Sequence, residues 1–263
     1  MEIKNNPRVA LIEHMGKDLS VVNAARASFL TNSTELTPRD EKLIHFLKEN
    51  QHDSPFEHCS ATFLIESELA TAMQILRHRT FSYNMTSRRY TSEGLEFFIP
   101  EIFRKQAENN RQASIGNVEA QQGLTKLFVV HYTACLERYN EALEKGLCRE
   151  QARFLLPQGL CTRFYMSGNL RNWMHFLNLR DKSDAQGEVH QVASEVRKHL
   201  KELFPVSMEA FDKYFSTHTV LKDVIKTAKK EHKKLFSEEY VPEWKEGYRA
   251  ALSWLLVSLG EDD

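Results

Sequence analysis

Long apolar runs are missing from this chain of 263 residues. No stretch approaches the roughly 20 apolar residues that a membrane-spanning helix needs, so no membrane partner is expected. The opening Met1-Glu2-Ile3-Lys4 lacks the apolar run of a signal peptide, and the expectation is a cytoplasmic protein. Charge of one sign is missing as well. The net charge of −1 creates no global field that recruits nucleic acid or an anionic surface, so any anion site must be local. Cysteine is scarce: Cys59, Cys135, Cys148 and Cys161, with no Cys-x-x-Cys pair. That spacing predicts no metal site and points to buried free thiols in a reducing compartment. No Cys has an activating sequence beside it. No Gly-x-Gly-x-x-Gly opens a helix, which removes support for a Rossmann dinucleotide site. Internal repeats are absent too.

What remains is a globular composition, 41% hydrophobic and 27% charged, with enough chain to bury a core without disulfides. The periodicity predicts a strand at Val9–Ile12, a helix at Leu19–Phe29 and a helix opened by Thr37-Pro38, with Leu43, Ile44, Phe46 and Leu47 inward. Thr62–Glu66 reads as a strand, and Glu68–His78 as a helix with Leu69, Met73 and Leu76 inward. Leu95–Ile99 reads as a strand, and the polar, irregular 101–118 as a mobile insertion or a short helix. A long helix over Ala120–Leu143 puts Leu124, Leu127, Phe128, Cys135, Tyr139 and Leu143 near one face and ends at Gly146. A short helix at Glu150–Leu156, a strand at Leu160–Met166 and helices at Leu170–Leu179 and Ala185–Phe204 follow. Helices and scattered short strands without a βαβ rhythm predict an α+β class: a helix-rich single domain around a small mixed or antiparallel sheet. The composition shifts near Ser216. The Lys-rich stretch 226–236 and the run Trp244, Tyr248, Leu252, Trp254, Leu255 predict a helical C-terminal extension at 216–263, appended to a domain at 1–215.

The most informative segment is Arg77-His78-Arg79-Thr80-Phe81-Ser82-Tyr83-Asn84-Met85-Thr86-Ser87-Arg88-Arg89-Tyr90. It holds four arginines, and no acid occurs from Leu69 through Ser92 although the chain has 36 Asp plus Glu. Positive charge is therefore concentrated without a neutralising sequence neighbour. Arginine grips phosphate through two parallel bonds. The interleaved Ser, Thr and Asn add short hydrogen-bonding groups, and Phe81, Tyr83 and Tyr90 offer flat faces for a base or an isoalloxazine ring. A basic surface loop carrying no ligand is the plain alternative, but such a loop has no need of those hydrogen-bonding groups.

Arg77-His78-Arg79, seven residues, then Ser87 resembles the signature of flavin-dependent thymidylate synthases. The resemblance covers about residues 10 to 214. It includes Gly16-Lys17-Asp18-Leu19-Ser20, Ala24-Ala25-Arg26-Ala27-Ser28-Phe29, and His52-Asp53-Ser54-Pro55-Phe56-Glu57-His58. It continues through Gln151-Ala152-Arg153 with Leu156-Pro157, and through Asn169-Leu170-Arg171-Asn172-Trp173-Met174-His175-Phe176-Leu177-Asn178-Leu179-Arg180.

The resemblance implies conversion of dUMP to dTMP, with methylenetetrahydrofolate as carbon donor and NADPH as reductant through FAD, and no cysteine nucleophile. It implies a homotetramer with active sites at subunit interfaces. By residue match, Arg180 would stabilise charge on the pyrimidine, and Ser87 would act beside it. Gln74, Arg77, Ser87, Arg89, Arg153 and Arg180 would bind dUMP. The predicted helix places Gln74 and Arg77 on one face. Ser54, Glu57, His78, Arg79, Asn84, Asn169, Arg171 and His175 would contact FAD, while His58 and His175 also read as ordinary core or surface histidines. Two positions depart from the family pattern: Met85 stands where Glu or Gln is usual, and Asp184 where His often occurs. Met cannot make the bonds of a carboxylate or amide, so an altered pyrimidine or C5 modification is one alternative: a hydroxymethylase or an enzyme acting on dCMP. A single-stranded nucleic-acid-binding module is a second. A catalytically lapsed scaffold is a third.

Overall fold

A computed structural model describes residues 1–108, 114–182 and 186–214. The chain divides into two compact units, Met1–Met208 and Glu209–Asp263. Asp184, the Lys-rich stretch and the aromatic run of the C-terminal extension lie outside the described residues.

The elements run β1 (Glu2–Lys4), β2 (Arg8–Met15), α1 (Asp18–Arg26), α2 (Pro38–Glu49), β3 (Ser60–Glu68), α3 (Leu69–Ile75), β4 (Ser82–Met85), β5 (Glu96–Phe98), β6 (Arg104–Gln106), β7 (Ser114–Asn117), α4 (Gln121–Glu144), α5 (Arg149–Ala152), β8 (Cys161–Asn169), α6 (Leu170–Arg180) and α7 (Gly187–Leu203). This is the expected α+β class. The main sheet has four strands in the order β2-β3-β8-β4, all paired antiparallel. β1 and β5 form a parallel ladder, and β6 with β7 an antiparallel one.

One face of the main sheet is buried because its strands alternate. Ala61, Phe63 and Ile65 of β3 and Phe164 and Met166 of β8 point the same way and are buried, as the two-residue period requires. Helices α6 and α7 cover them. Leu170, Trp173, Met174 and Leu177 recur at helical spacing along α6 and are buried, and Val189, Val192, Val196 and Leu200 do the same along α7. The Trp173 indole meets the Phe63 ring edge-on at 5.0 Å, and its N–H donates to the Ala61 carbonyl at 3.1 Å. Burying each large apolar side chain contributes about 1.5–3 kcal/mol. Asp18 fastens the start of the chain to its later part: its carboxylate accepts the backbone N–H groups of Val206 and Ser207, both at 2.9 Å.

Several expected faces differ. In α2, Ile44 and Leu47 face inward, but Phe46 is 52% exposed. In α3, Ala72 and Ile75 are buried, while Met73 is 58% exposed. β3 runs on to Glu68, the Leu69 N–H donates to the Leu160 carbonyl at 3.0 Å, and α3 turns Thr71, Ala72 and Ile75 inward. In α4, Tyr132, Cys135 and Tyr139 are buried, but Leu127 is 60% exposed. Tyr132 instead anchors a second core with Phe97, Ile99 and Leu160, its hydroxyl donating to the Phe98 carbonyl at 3.0 Å. The segment expected to be irregular holds β6 and β7, which pair on either side of the undescribed residues 109–113.

Candidate active site

Helix α6 and the turn after α3 carry the first group of site residues. α6 begins at Asn169, whose side-chain carbonyl accepts the Asn172 backbone N–H at 2.9 Å, an N-cap that satisfies a free helix donor. Asn172 then donates its side-chain amide to the Thr80 carbonyl at 3.0 Å. That bond fixes the Arg77–Thr80 turn against the start of α6. Tyr83 closes the turn from the other side, its hydroxyl lying 3.1 Å from the Ile75 carbonyl and 2.9 Å from the His78 carbonyl.

His78 lies inside this frame and is only 7% exposed. Its ring packs on Phe176 with centroids 5.0 Å apart, and His175 lies at 6.3 Å. Arg180, in the last turn of α6, donates its Nε–H to His78 Nε2 at 2.9 Å. Burial, then the nearby Arg180 and His175, pull the His78 pKa down to about 4. The imidazole is therefore neutral at pH 7, with Nε2 free to accept. Burial also pulls the Arg180 pKa below its ordinary value. Arg77 and Arg79 flank His78 in the turn and are exposed; neither forms an ion pair among the described residues.

Glu57 and Arg171 form an ion pair, and Arg171 also lies 3.9 Å from Asp53. This joins the short turn Ser54–His58 to the first turn of α6. Thus Ser54, Glu57, Asn169, Arg171, His78, His175 and Arg180 belong to one continuous region. Asn84 lies further along β4, exposed and paired in register with Tyr165.

The second group is built on the loop after β4 and on α5. The Ser87 hydroxyl accepts the Arg89 backbone N–H at 3.3 Å, and its carbonyl accepts the Tyr90 N–H at 3.1 Å. Arg89 pairs with Glu150 at 3.2 Å. Arg153 donates its Nε–H to the Glu150 carbonyl at 3.2 Å. Two guanidinium groups therefore meet one residue, Glu150, which the sequence does not single out. The spacing to Arg153 was visible, but the approach of Arg89 from 61 positions away in the chain was not.

Among the described residues no hydrogen bond or ion pair joins the site residues of the two groups. Arg89 and Arg153 share Glu150, whereas Arg180 holds His78. Gln74 sits in α3, and its side-chain carbonyl is buried without a hydrogen-bond partner among the described residues. The helix stops at Ile75, so Arg77 lies in the turn rather than on the helix; its N–H still bonds the Gln74 carbonyl at 3.3 Å. Phe81 is not a ligand face. It is 8% exposed, packs on Trp173 at 4.6 Å, and fills the space that a Cβ at Gly168 would need. Tyr90, by contrast, is 79% exposed.

A family model described as "Thymidylate synthase complementing protein" matches residues 10–206. The chain belongs to the flavin-dependent thymidylate synthase family. A relative of that name from Thermus thermophilus is 40% identical over 206 residues, 78% of this chain and 76% of its own length. Another, from Kosmotoga olearia, is 40% identical over 227 residues, 84% of this chain and 98% of its own. Among solved structures, the UMP/dUMP methylase PolB from Streptomyces cacaoi, bound with 5-Br dUMP, superposes with a TM-score of 0.75 at 32% identity. That match covers 81% of this chain and 98% of the other. The relatives favour an enzyme over a nucleic-acid-binding module. The four cysteines are free, and burial raises the pKa of Cys59 to about 11 and of Cys161 to about 12, which keeps both as inert thiols. Among the described residues no helix is long and apolar enough to cross a membrane, and no group of His, Cys, Asp or Glu is placed to hold a metal.

Proposed function

We propose that this protein methylates C5 of dUMP, giving dTMP, with methylenetetrahydrofolate as carbon donor and NADPH as the source of electrons through FAD. The observation that carries the reading is the family match combined with the Arg180–His78 pair, a partly buried cation held by a neutral acceptor. In this reading Arg180 stabilises negative charge that develops on the pyrimidine carbonyl oxygens. A preorganised donor in a partly buried site is worth more than one in water. His78 orients that guanidinium without neutralising it. A carboxylate in the same place would quench its field.

Ser87, Arg89 and Arg153 bind the dUMP phosphate in this reading. The phosphate would replace Glu150 as the partner of Arg89, an exchange favoured by the bidentate fit of guanidinium to phosphate. Gln74 and Arg77 complete the nucleotide site from a neighbouring copy. The buried Gln74 carbonyl without a hydrogen-bond partner and Arg77 without an ion pair, both among the described residues, support a homotetramer with sites at subunit interfaces.

The residues present suit a flavin. Exposed Arg79, without an ion pair among the described residues, offers charge for a diphosphate, and Asn84, His175, Ser54 and Asn169 offer polar contacts. Arg171 is tied to Glu57, so those two would hold the cofactor as a pair. When bound, the flavin supplies the electrons that reduce the transferred one-carbon unit. The free thiols suit the reducing cytoplasm.

The test is product analysis with purified, FAD-loaded protein, NADPH and methylenetetrahydrofolate, offered dUMP, UMP and dCMP in turn. dTMP from dUMP supports the proposal. A hydroxymethylated product, or turnover of dCMP alone, defeats it. The matched PolB structure with 5-Br UMP makes UMP the informative second substrate, because Met85 cannot make the polar contacts of a carboxylate or amide beside the nucleotide.

A further inference from the structure

The loop that carries Ser87 and Arg89 has a second side. Thr86 and Arg88, the residues alternating with them, line a cavity of about 350 Å³ to which Ser87 and Arg89 do not contribute. The cavity lies between the exposed end of the main sheet, the β1–β5 ladder and the Arg88–Gly94 loop. Its sheet wall is a cross-strand row: Arg8 on β2 faces Glu66 on β3, and Glu66 faces Arg163 on β8. Residues opposite one another in register share a face of the sheet, and all three line the cavity.

The arginines here differ in what they already do. Arg88 is committed: its guanidinium donates to the Glu93 carbonyl at 2.5 Å and the Gly94 carbonyl at 2.9 Å, and it shapes the loop. Lys4 is paired with Glu96 at 3.2 Å. Arg8 and Arg163 are exposed and form no hydrogen bond or ion pair through their guanidinium groups among the described residues. Two uncommitted guanidinium groups thus flank a walled space. Glu66 stands between them in register, with Thr86, Thr91 and Glu93 elsewhere on the lining.

We propose that this cavity binds a second phosphorylated sugar compound, of nucleotide size, distinct from the substrate of the neighbouring site. Arg8 and Arg163 grip its phosphate, the charge-assisted bidentate pairing for which guanidinium is suited. Glu66 and Glu93 accept from its sugar hydroxyls, and that mixed set selects a phosphate ester carrying hydroxyl donors over a bare anion. The ligand shares one wall, the Thr86–Arg89 segment, with the phosphate grip of the substrate site. The existence of the cavity site does not depend on the proposed function; only its position back to back with the substrate does.

The test is titration calorimetry of FAD-loaded protein with ribose 5-phosphate, in phosphate-free buffer, with and without saturating dUMP. dUMP binding is measured first and independently, so its failure would count against the proposed function alone. One equivalent of ribose 5-phosphate is expected to bind whether or not dUMP is present. In R8Q/R163Q that binding weakens by at least about tenfold, as loss of two charge-assisted contacts requires, with flavin absorbance and dUMP affinity retained. S87A leaves it unchanged. If the double variant does not retain flavin, the single variants Arg8→Gln and Arg163→Gln are each expected to weaken binding with the spectrum intact. Competition by dUMP, undiminished binding in R8Q/R163Q, or equal affinity for inorganic phosphate would each overturn the proposal.

Discussion

The two halves of the candidate site are built on opposite plans. The region around His78 and Arg180 is assembled by the core: Phe176, Phe81 and Trp173 pack beneath it, an N-cap and an amide bond fix its backbone, and its central imidazole is desolvated. The region around Ser87, Arg89 and Arg153 lies on a loop and a single short helix, and its cations are held by one exposed acid. The first is organised before any ligand arrives. The second parks Arg89 on the Glu150 carboxylate, which an anion can displace, and holds Arg153 on the Glu150 backbone carbonyl. Charge stabilisation at a reacting centre benefits from fixed geometry, whereas phosphate capture tolerates an exchange of partners.

The sharpest break of this comparison is Arg180→Ala. Turnover is expected to fall by about 10²–10³, the effect of removing one preorganised donor, while the flavin spectrum of the purified protein persists. Unchanged turnover would remove Arg180 from its role.

The next effect is on stability. The His78 pKa is lowered to about 4 from 6.5, so between those values the unfolded chain binds a proton that the folded one refuses. Stability is full above pH 6.5, declines as pH falls through the window, and levels off below pH 4. The loss is on the order of 3 kcal/mol. Urea unfolding of the protein and of His78→Gln, compared at pH 7.5 and 4.5, isolates it. The variant is expected to lose less than the parent on acidification.

In the loop-borne half, Ser87→Ala should raise the KM for dUMP about tenfold, the scale of one hydrogen bond to a charged group, with kcat nearly unchanged. A loss of kcat at saturating dUMP would mean that Ser87 belongs with the reacting centre. Asn169→Ala tests the frame of the other half and should cost about 1 kcal/mol in thermal or urea unfolding through loss of the cap. The smallest effect is expected from Glu150→Gln. Both partners of its ion pair are more than half exposed, so stability should change by under about 1 kcal/mol. Its KM for dUMP should fall modestly, since the competing carboxylate is gone.

Parts of this arrangement were legible in the chain. The stripe Val189, Val192, Val196, Leu200 could be read because a buried amphipathic helix repeats every 3.6 residues. Thr37-Pro38 named the start of α2, and Thr37 indeed accepts from the Asp40 backbone N–H at 3.4 Å. The faces of α2, α3 and α4 were read less well. Phe46, Met73 and Leu127 are large and apolar, and periodicity alone cannot say that smaller neighbours take the inner positions. Phe81 was read as a ligand face because it lies inside the arginine segment; the close approach of Gly168 from β8 makes it core instead.

The sequence by itself determined the chemistry on offer: an arginine-rich segment free of acids, at fixed spacing to Ser87, with matching motifs far downstream. Local propensity and residue type are properties of short stretches, so one chain suffices to read them. Which arginine meets a histidine, which meets Glu150 and which is left uncommitted beside a cavity was decided only by the tertiary structure. Those pairings join residues up to about a hundred positions apart, and their energies depend on burial, which arises only when sheet and helices have packed.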